Sequence, residues 1–188
     1  SKLPPSTKLM VMVKAFGYGS GAEEVASLLE FNKADYLAVA YTDEGVELRK
    51  AGISLPVMVM NPERSSLPTL IRHKLEPELY SFRTANNFLQ ALQAADISER
   101  SPSEAEGRYP VHIKIDTGMH RLGFIADEMQ DLCTWLDTSK QVRVASVFTH
   151  LAASDATQYD EFTRHQLNIF NNCCDRIALH VKSPFMRH

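Results

Sequence analysis

Apolar positions along this chain cluster into short runs separated by longer stretches of helical period. Leu9 to Val13 and Leu55 to Met60 are almost continuously apolar, and Tyr36 to Ala40 reads YLAVA. Runs of this length, rich in β-branched residues, predict strands buried on both faces of a parallel sheet. Val111 to Ile115 and Val142 to Phe148 add two more strands, and Glu78 to Tyr80 a weaker one. The intervening stretches predict helices over Ala22 to Leu29, Asp43 to Lys50, Thr84 to Ala94, Asp127 to Leu136 and Tyr159 to Cys174. Asp43 is placed to cap its helix and Gly52 to end it. Six strand runs are therefore interspersed with five helical stretches, the pattern of βαβ units around a parallel sheet.

Such repeats suggest an α/β fold of the (β/α)8 TIM-barrel type, which typically takes about 250 residues. Six units cannot close eight strands. Either the sheet is open and doubly wound, or this is an incomplete barrel, with about six units present in residues 1–188. A doubly wound dinucleotide fold would carry GxGxxG at its first turn, and GYGSG does not supply that spacing. The chain begins without Met and its tail, Ile177 to His188, starts what reads as another strand. Both features favour a truncated barrel. Ile97 to Arg108, with serines, acids and Pro102, reads as a surface excursion.

Composition narrows the function classes. Of 188 residues 44% are hydrophobic and the formal net charge is -3, enough for a sizeable core and without a basic face for nucleic acid. No apolar run approaches the roughly 18 residues of a membrane span, and Ser1 to Thr7 lacks the apolar centre of a signal peptide. A cytoplasmic address and no membrane partner are expected. Cys133, Cys173 and Cys174 form no disulfide framework or zinc spacing, and read as reduced core residues.

The chemistry centres on Lys14. It sits at the end of the first strand, before a turn with Gly17, Gly19 and Gly21. A partly desolvated amine there is a nucleophile towards an aldehyde; a solvated lysine at a strand edge is the alternative. In a barrel, residues just past strand ends share the catalytic face. That would bring Lys14 and Tyr18 together with Lys114 to Gly123 and with Thr149 to Asp155. Arg121 offers a fork for a phenolate or carboxylate, or else meets solvent. His150 follows the sixth strand, where a structural role is equally open. A metal hydrolase built on His112, His120, His150 and Asp116 is the competing reading, but no HxH or HExxH spacing sets two ligands on one face, and no metal is expected.

VKAFGYGSG, KIDTGMHRLGF and VFTHLAASD together resemble the alanine racemases, in the right order and over nearly the whole chain. The resemblance implies an N-terminal barrel domain that binds pyridoxal phosphate and interconverts L- and D-alanine by two bases, supplying D-alanine for peptidoglycan. It implies that Lys14 holds the cofactor aldehyde and acts as base on the D-alanine face. Tyr18 would contact the cofactor phosphate, Arg121 its phenolic oxygen and the substrate carboxylate, and His150 would lie beside its ring. Lys114 would be the lysine that many members carry as a carbamate paired with the arginine. The family commonly has asparagine where this chain has Phe16. It is dimeric, and its opposite base is a tyrosine from the partner's C-terminal β-domain; no such domain follows here, so residues 1–188 alone are expected to be inactive. A noncatalytic pyridoxal phosphate carrier barrel is the runner-up.

Overall fold

The structure is a computed structural model describing Pro4, residues 6–95 and residues 107–188. It divides into two compact units, Ser1–Glu78 with Ala91–Ser101 and Leu79–Gln90 with Pro102–His188. All but the last two residues of the expected excursion at 97–108 lie outside the described residues.

In the first unit, β1 (Met10–Met12), β2 (Tyr36–Val39), β3 (Val57–Val59) and β4 (Glu76–Leu79) pair in parallel and in chain order. The left-handed turn α1 (Lys14–Tyr18) and helix α2 (Ala22–Phe31) follow β1, α3 (Thr42–Lys50) follows β2, and α4 (Leu67–Arg72) follows β3. β2 and β3 are buried throughout, whereas β1 is half-buried. The expectation of a first strand covered on both faces is therefore corrected. β1 has a recorded neighbour, β2, along one edge.

Arg49, near the end of α3, ties the unit's turns together. Its guanidinium donates to the carbonyls of Ile53 and Leu55 at 2.8 Å and of His73 and Lys74 at 3.2 Å. Four otherwise orphaned carbonyls share one planar donor set, a task suited to arginine. The start of α3 also differs from expectation. Tyr41 occupies the cap position and Asp43 lies in the first turn; Glu44 reaches back instead, accepting from the Tyr41 N–H at 3.0 Å. Gly52, at φ +86, ends the helix as expected.

In the second unit, β5 (Tyr109–Lys114), β6 (Val142–Phe148) and β7 (Met186–Arg187) are parallel and again in chain order. α5 (Phe82–Ala94) lays Phe88 edge-on against Tyr109, and Phe82 edge-on against Phe124, with centroids 5.3 Å and 5.1 Å apart. α6 (Met129–Thr138) and α7 (Asp160–Ala178) complete the βαβ connections. Val111, Ile113, Leu132, Cys133, Val147, Cys174 and Ile177 are all buried, so the three cysteines are core residues, and burial pushes the Cys174 thiol up to about 11. No helix among the described residues is long and apolar enough to cross a membrane.

Parallel strands in chain order, each followed by a return helix, are the (β/α)8 type. A doubly wound sheet needs a reversal of strand order, and neither unit has one. The fold is an incomplete α/β barrel, with seven strands among the described residues. Six were expected; the seventh is the short β7 within the tail.

Candidate active site

Lys14 follows the buried Val13, whose N–H donates to the Ala38 carbonyl at 2.8 Å. The backbone then turns left-handed, with Ala15, Phe16, Gly17 and Tyr18 at φ +52, +55, +60 and +56. Only glycine is at ease there, and each L-residue costs about 1–2 kcal/mol, so something must hold the turn. Glu44 does. One carboxylate oxygen accepts the Ala15 N–H at 2.6 Å, and the other accepts the Ala40 and Tyr41 N–H groups at 2.7 Å and 3.0 Å. A single carboxylate fixes the peptide after Lys14 to the end of β2. The result presents a half-buried lysine with Tyr18 exposed four residues on.

In the second unit, Lys114 ends β5 and is buried, its Nζ 5.5 Å from the centre of the Phe148 ring. The loop after it is built on Asp116, whose Oδ1 accepts from the Gly118 and His120 N–H groups at 2.9 Å and 3.0 Å. Gly123, at φ +133, returns the loop so closely that a Cβ would strike the Ile115 carbonyl carbon and the Asp116 nitrogen. Phe124 N–H then donates to the Lys114 carbonyl at 2.9 Å. Arg121 is exposed at the tip and has no hydrogen-bond or ion-pair partner among the described residues. A guanidinium so displayed is available to an anionic ligand.

His150 is likewise exposed, on a loop set by the fully buried Gln166 of α7. The Gln166 amide donates to the His150 carbonyl and to Thr117 Oγ1, both at 3.1 Å, and its carbonyl accepts from Ala152 N–H at 3.2 Å. Thr149 Oγ1 donates to the Ile115 carbonyl and meets Thr117 Oγ1 at 2.8 Å. The loops after β5 and β6 are thereby joined through α7.

A third group lay outside the sequence expectations. His112 Nδ1 meets Ser146 Oγ at 2.7 Å, and Ser146 Oγ meets His188 Nε2 at 2.9 Å. The His188 ring stacks on Phe148 at 4.9 Å. His112, read from sequence as a possible metal ligand, is committed to this chain of contacts, which is buried at His112 and Ser146 and open to solvent at His188. Burial, with His112 nearby, pushes His188 down to about 4, so at neutral pH it is an uncharged hydrogen-bonding ring. Among the described residues no cluster of three or more His, Cys, Asp or Glu could hold a metal ion. Glu44 was legible in principle, since an acid three residues past a helix start signals a reach-back to the cap. Gln166 carried no local signal.

The family model described as "Alanine racemase, N-terminal domain" matches residues 1–188. The chain belongs to that family. Alanine racemase 1 of Oceanobacillus iheyensis is 32% identical over 188 residues, 99% of this chain and 47% of that protein. The alanine racemase of Prochlorococcus marinus is 36% identical over 195 residues, covering 100% and 47%. Among solved structures, Clostridium difficile alanine racemase in complex with cycloserine superposes with a TM-score of 0.85 at 31% identity, covering 99% of this chain and 49% of that one. The chain thus spans about half the length of the curated racemases it matches.

Proposed function

We propose that this chain is the cofactor-bearing barrel part of an alanine racemase that uses pyridoxal phosphate and acts on alanine in the cytoplasm, as a homodimer, to supply D-alanine for peptidoglycan. The observation that carries the reading is the half-buried Lys14, set after the end of β1 in a strained turn that Glu44 holds. Strain of that kind persists where surrounding structure over-determines it, as at functional sites. The donors of each unit suit the group: in the first, the Lys14 amine for its aldehyde and the exposed Tyr18 for its phosphate; in the second, Arg121, without a partner among the described residues, for an anionic oxygen. When bound, pyridoxal phosphate supplies an electron sink that stabilises negative charge at the substrate α-carbon.

The remaining work falls to side chains. Lys14 Nζ takes or returns the α-proton on one face of the substrate. Tyr18 would donate to the phosphate, and Arg121 would orient the substrate carboxylate and the cofactor's phenolic oxygen. His150, on the loop that Gln166 holds, would serve the ring side of the site. Lys114 pairs with Arg121 once carbamylated, which replaces a like charge with an opposite one. The base on the opposite face comes from a C-terminal β-domain of a partner subunit, so residues 1–188 alone do not turn over.

The test is titration of the purified chain with pyridoxal phosphate, borohydride reduction and peptide mapping by mass spectrometry. Label is expected on Lys14 and absent in Lys14→Ala. Label spread over exposed lysines, or retained in Lys14→Ala, would overturn the assignment; racemisation by these 188 residues alone would overturn the partner-domain requirement.

A further inference from the structure

The backbone on either side of Lys14 is tied to the β2 segment. Before the lysine, Val13 N–H donates to the Ala38 carbonyl at 2.8 Å. After it, Ala15 N–H donates to Glu44 Oε1 at 2.6 Å, while Glu44 Oε2 accepts from Ala40 N–H at 2.7 Å and from Tyr41 N–H at 3.0 Å. We propose that Glu44 is a positioning residue for Lys14: by fixing the peptide that follows the lysine, it makes the amine selective for an aldehyde that a phosphate holds in place. The inference rests on the racemase reading of Lys14 and deepens it.

Two observations carry it. The first is that the turn does not hold its own start. Gly17 N–H donates to the Val13 carbonyl at 3.1 Å, and Gly19 N–H to the Ala15 and Phe16 carbonyls at 3.2 Å and 3.1 Å. Ala15 N–H, on an exposed residue, has Glu44 as its partner among the described residues. Ala15, Phe16 and Tyr18 hold φ between +52 and +56, a region that disfavours L-residues by about 1–2 kcal/mol each. The local chain alone would leave that conformation, and Lys14 would move with it.

The second is the kind of acceptor the place demands. Three N–H groups meet the two oxygens of one side chain, and a carboxylate accepts at both. A glutamine of the same shape offers one oxygen and an NH2 that only donates. In Glu44→Gln the oxygen serves Ala40 and Tyr41, where two donors await it, and the NH2 is turned against Ala15 N–H. The link to the lysine is cut and the helix cap is kept.

In the reaction concerned, Lys14 Nζ adds as a free amine to the aldehyde carbon, the oxygen leaves as water and a C=N bond remains. An anchored aldehyde meets the amine from one direction, whereas formaldehyde meets it from any. Misplacing the amine by about 1 Å can cost about 100-fold with the first and nothing with the second.

The full chain is treated with pyridoxal phosphate and trapped with borohydride at successive times. A parallel sample receives formaldehyde and cyanoborohydride, and peptide mass spectrometry gives the rate at Lys14 for each aldehyde. In Glu44→Gln the pyridoxal phosphate rate is expected to fall at least about 10-fold, with the formaldehyde rate changed less than about 2-fold. Glu47→Gln, an exposed position on the same helix, changes neither. A role in stability alone would lower Tm and leave the ratio of the two rates as it is. An unchanged ratio in Glu44→Gln, with Lys14 labelled in the wild type, overturns this proposal alone; a wild type unlabelled at Lys14 overturns the racemase reading and the proposal with it. Should Glu44→Gln fail to fold, hydrogen exchange of the wild-type Ala15 amide decides. Exchange slowed at least about 10-fold, the size of one charge-assisted hydrogen bond, is expected, and unprotected exchange would show that Glu44 does not hold the turn.

Discussion

Phe16 is the residue whose chemistry fits its backbone least. It holds φ +55 in the left-handed turn after Lys14, with its ring 70% exposed. A bulky side chain there bears the full left-handed penalty, whereas asparagine visits that region readily. The ring's exposure leaves little packing to offset the cost. Phe16→Asn is therefore expected to stabilise the chain by about 1 kcal/mol, raising Tm by roughly 2–4 °C for a chain of this size. Thermal denaturation followed by circular dichroism measures it. A lower Tm would mean that the exposed ring is covered in the working protein and that its packing outweighs the backbone strain. Gly17 in the same turn, at φ +60 with Ala22 Cα 3.3 Å from where a Cβ would sit, is fixed by both conformation and space.

At the level of elements, the candidate site depends on two side chains that do no chemistry. Glu44 fastens the Lys14 turn to the end of β2, and Gln166 fastens the His150 loop to the loop after β5. Gln166→Leu keeps most of the buried volume but leaves the His150 carbonyl and the Ala152 N–H without their partner. Both bonds are only part-buried and each contributes about 0.5–1.5 kcal/mol net, so a loss of about 1–3 kcal/mol is expected from urea unfolding. A loss below about 0.5 kcal/mol would show that water replaces the amide and that the loop is not held by it. The distant contacts of these two residues, unlike the local reach-back of Glu44 to Tyr41, mark the limit of what the sequence shows. Strand ends could be read from β-branched runs, and with them the positions of Lys14, Lys114 and His150. Partners that arrive from 29 residues away, as Glu44 does to Ala15, or from 49, as Gln166 does to Thr117, leave no local pattern. β4 begins two residues before the strand that the pattern predicts, because its sequence, EPEL, buries two glutamates and a proline where apolar residues are expected. α4 went unread because six residues are too few to establish a helical period, although its second residue, Pro68, is a proper start signal.

For the whole molecule, the perturbed groups set a window of pH stability. On the acid side the relevant group is His188, held near 4 in the fold against about 6.5 in an unfolded chain. Between those values the unfolded chain binds a proton that the folded one refuses, so stability falls as pH drops from about 6.5 towards 4. The residue as a whole keeps solvent contact, which reduces the effect below the full 1.36 kcal/mol per unit of a sealed site. On the alkaline side Cys133, Cys173 and Cys174 are all raised by burial from 9.0, Cys174 to about 11. Above pH 9 the unfolded thiols ionise while the folded ones stay protonated, so stability declines again. A plateau from about pH 6.5 to 9 is expected in urea midpoints taken across pH 4 to 10.5. Surface carboxylates and lysines also titrate over that range, so the informative quantity is the difference between variants. His188→Gln should flatten the acid arm between pH 6.5 and 4, and Cys174→Ala the alkaline arm above pH 9, each leaving the other arm in place. If His188→Gln left the acid arm unchanged, the ring would be protonating freely in the fold, and burial would not be holding His188 uncharged beside Ser146.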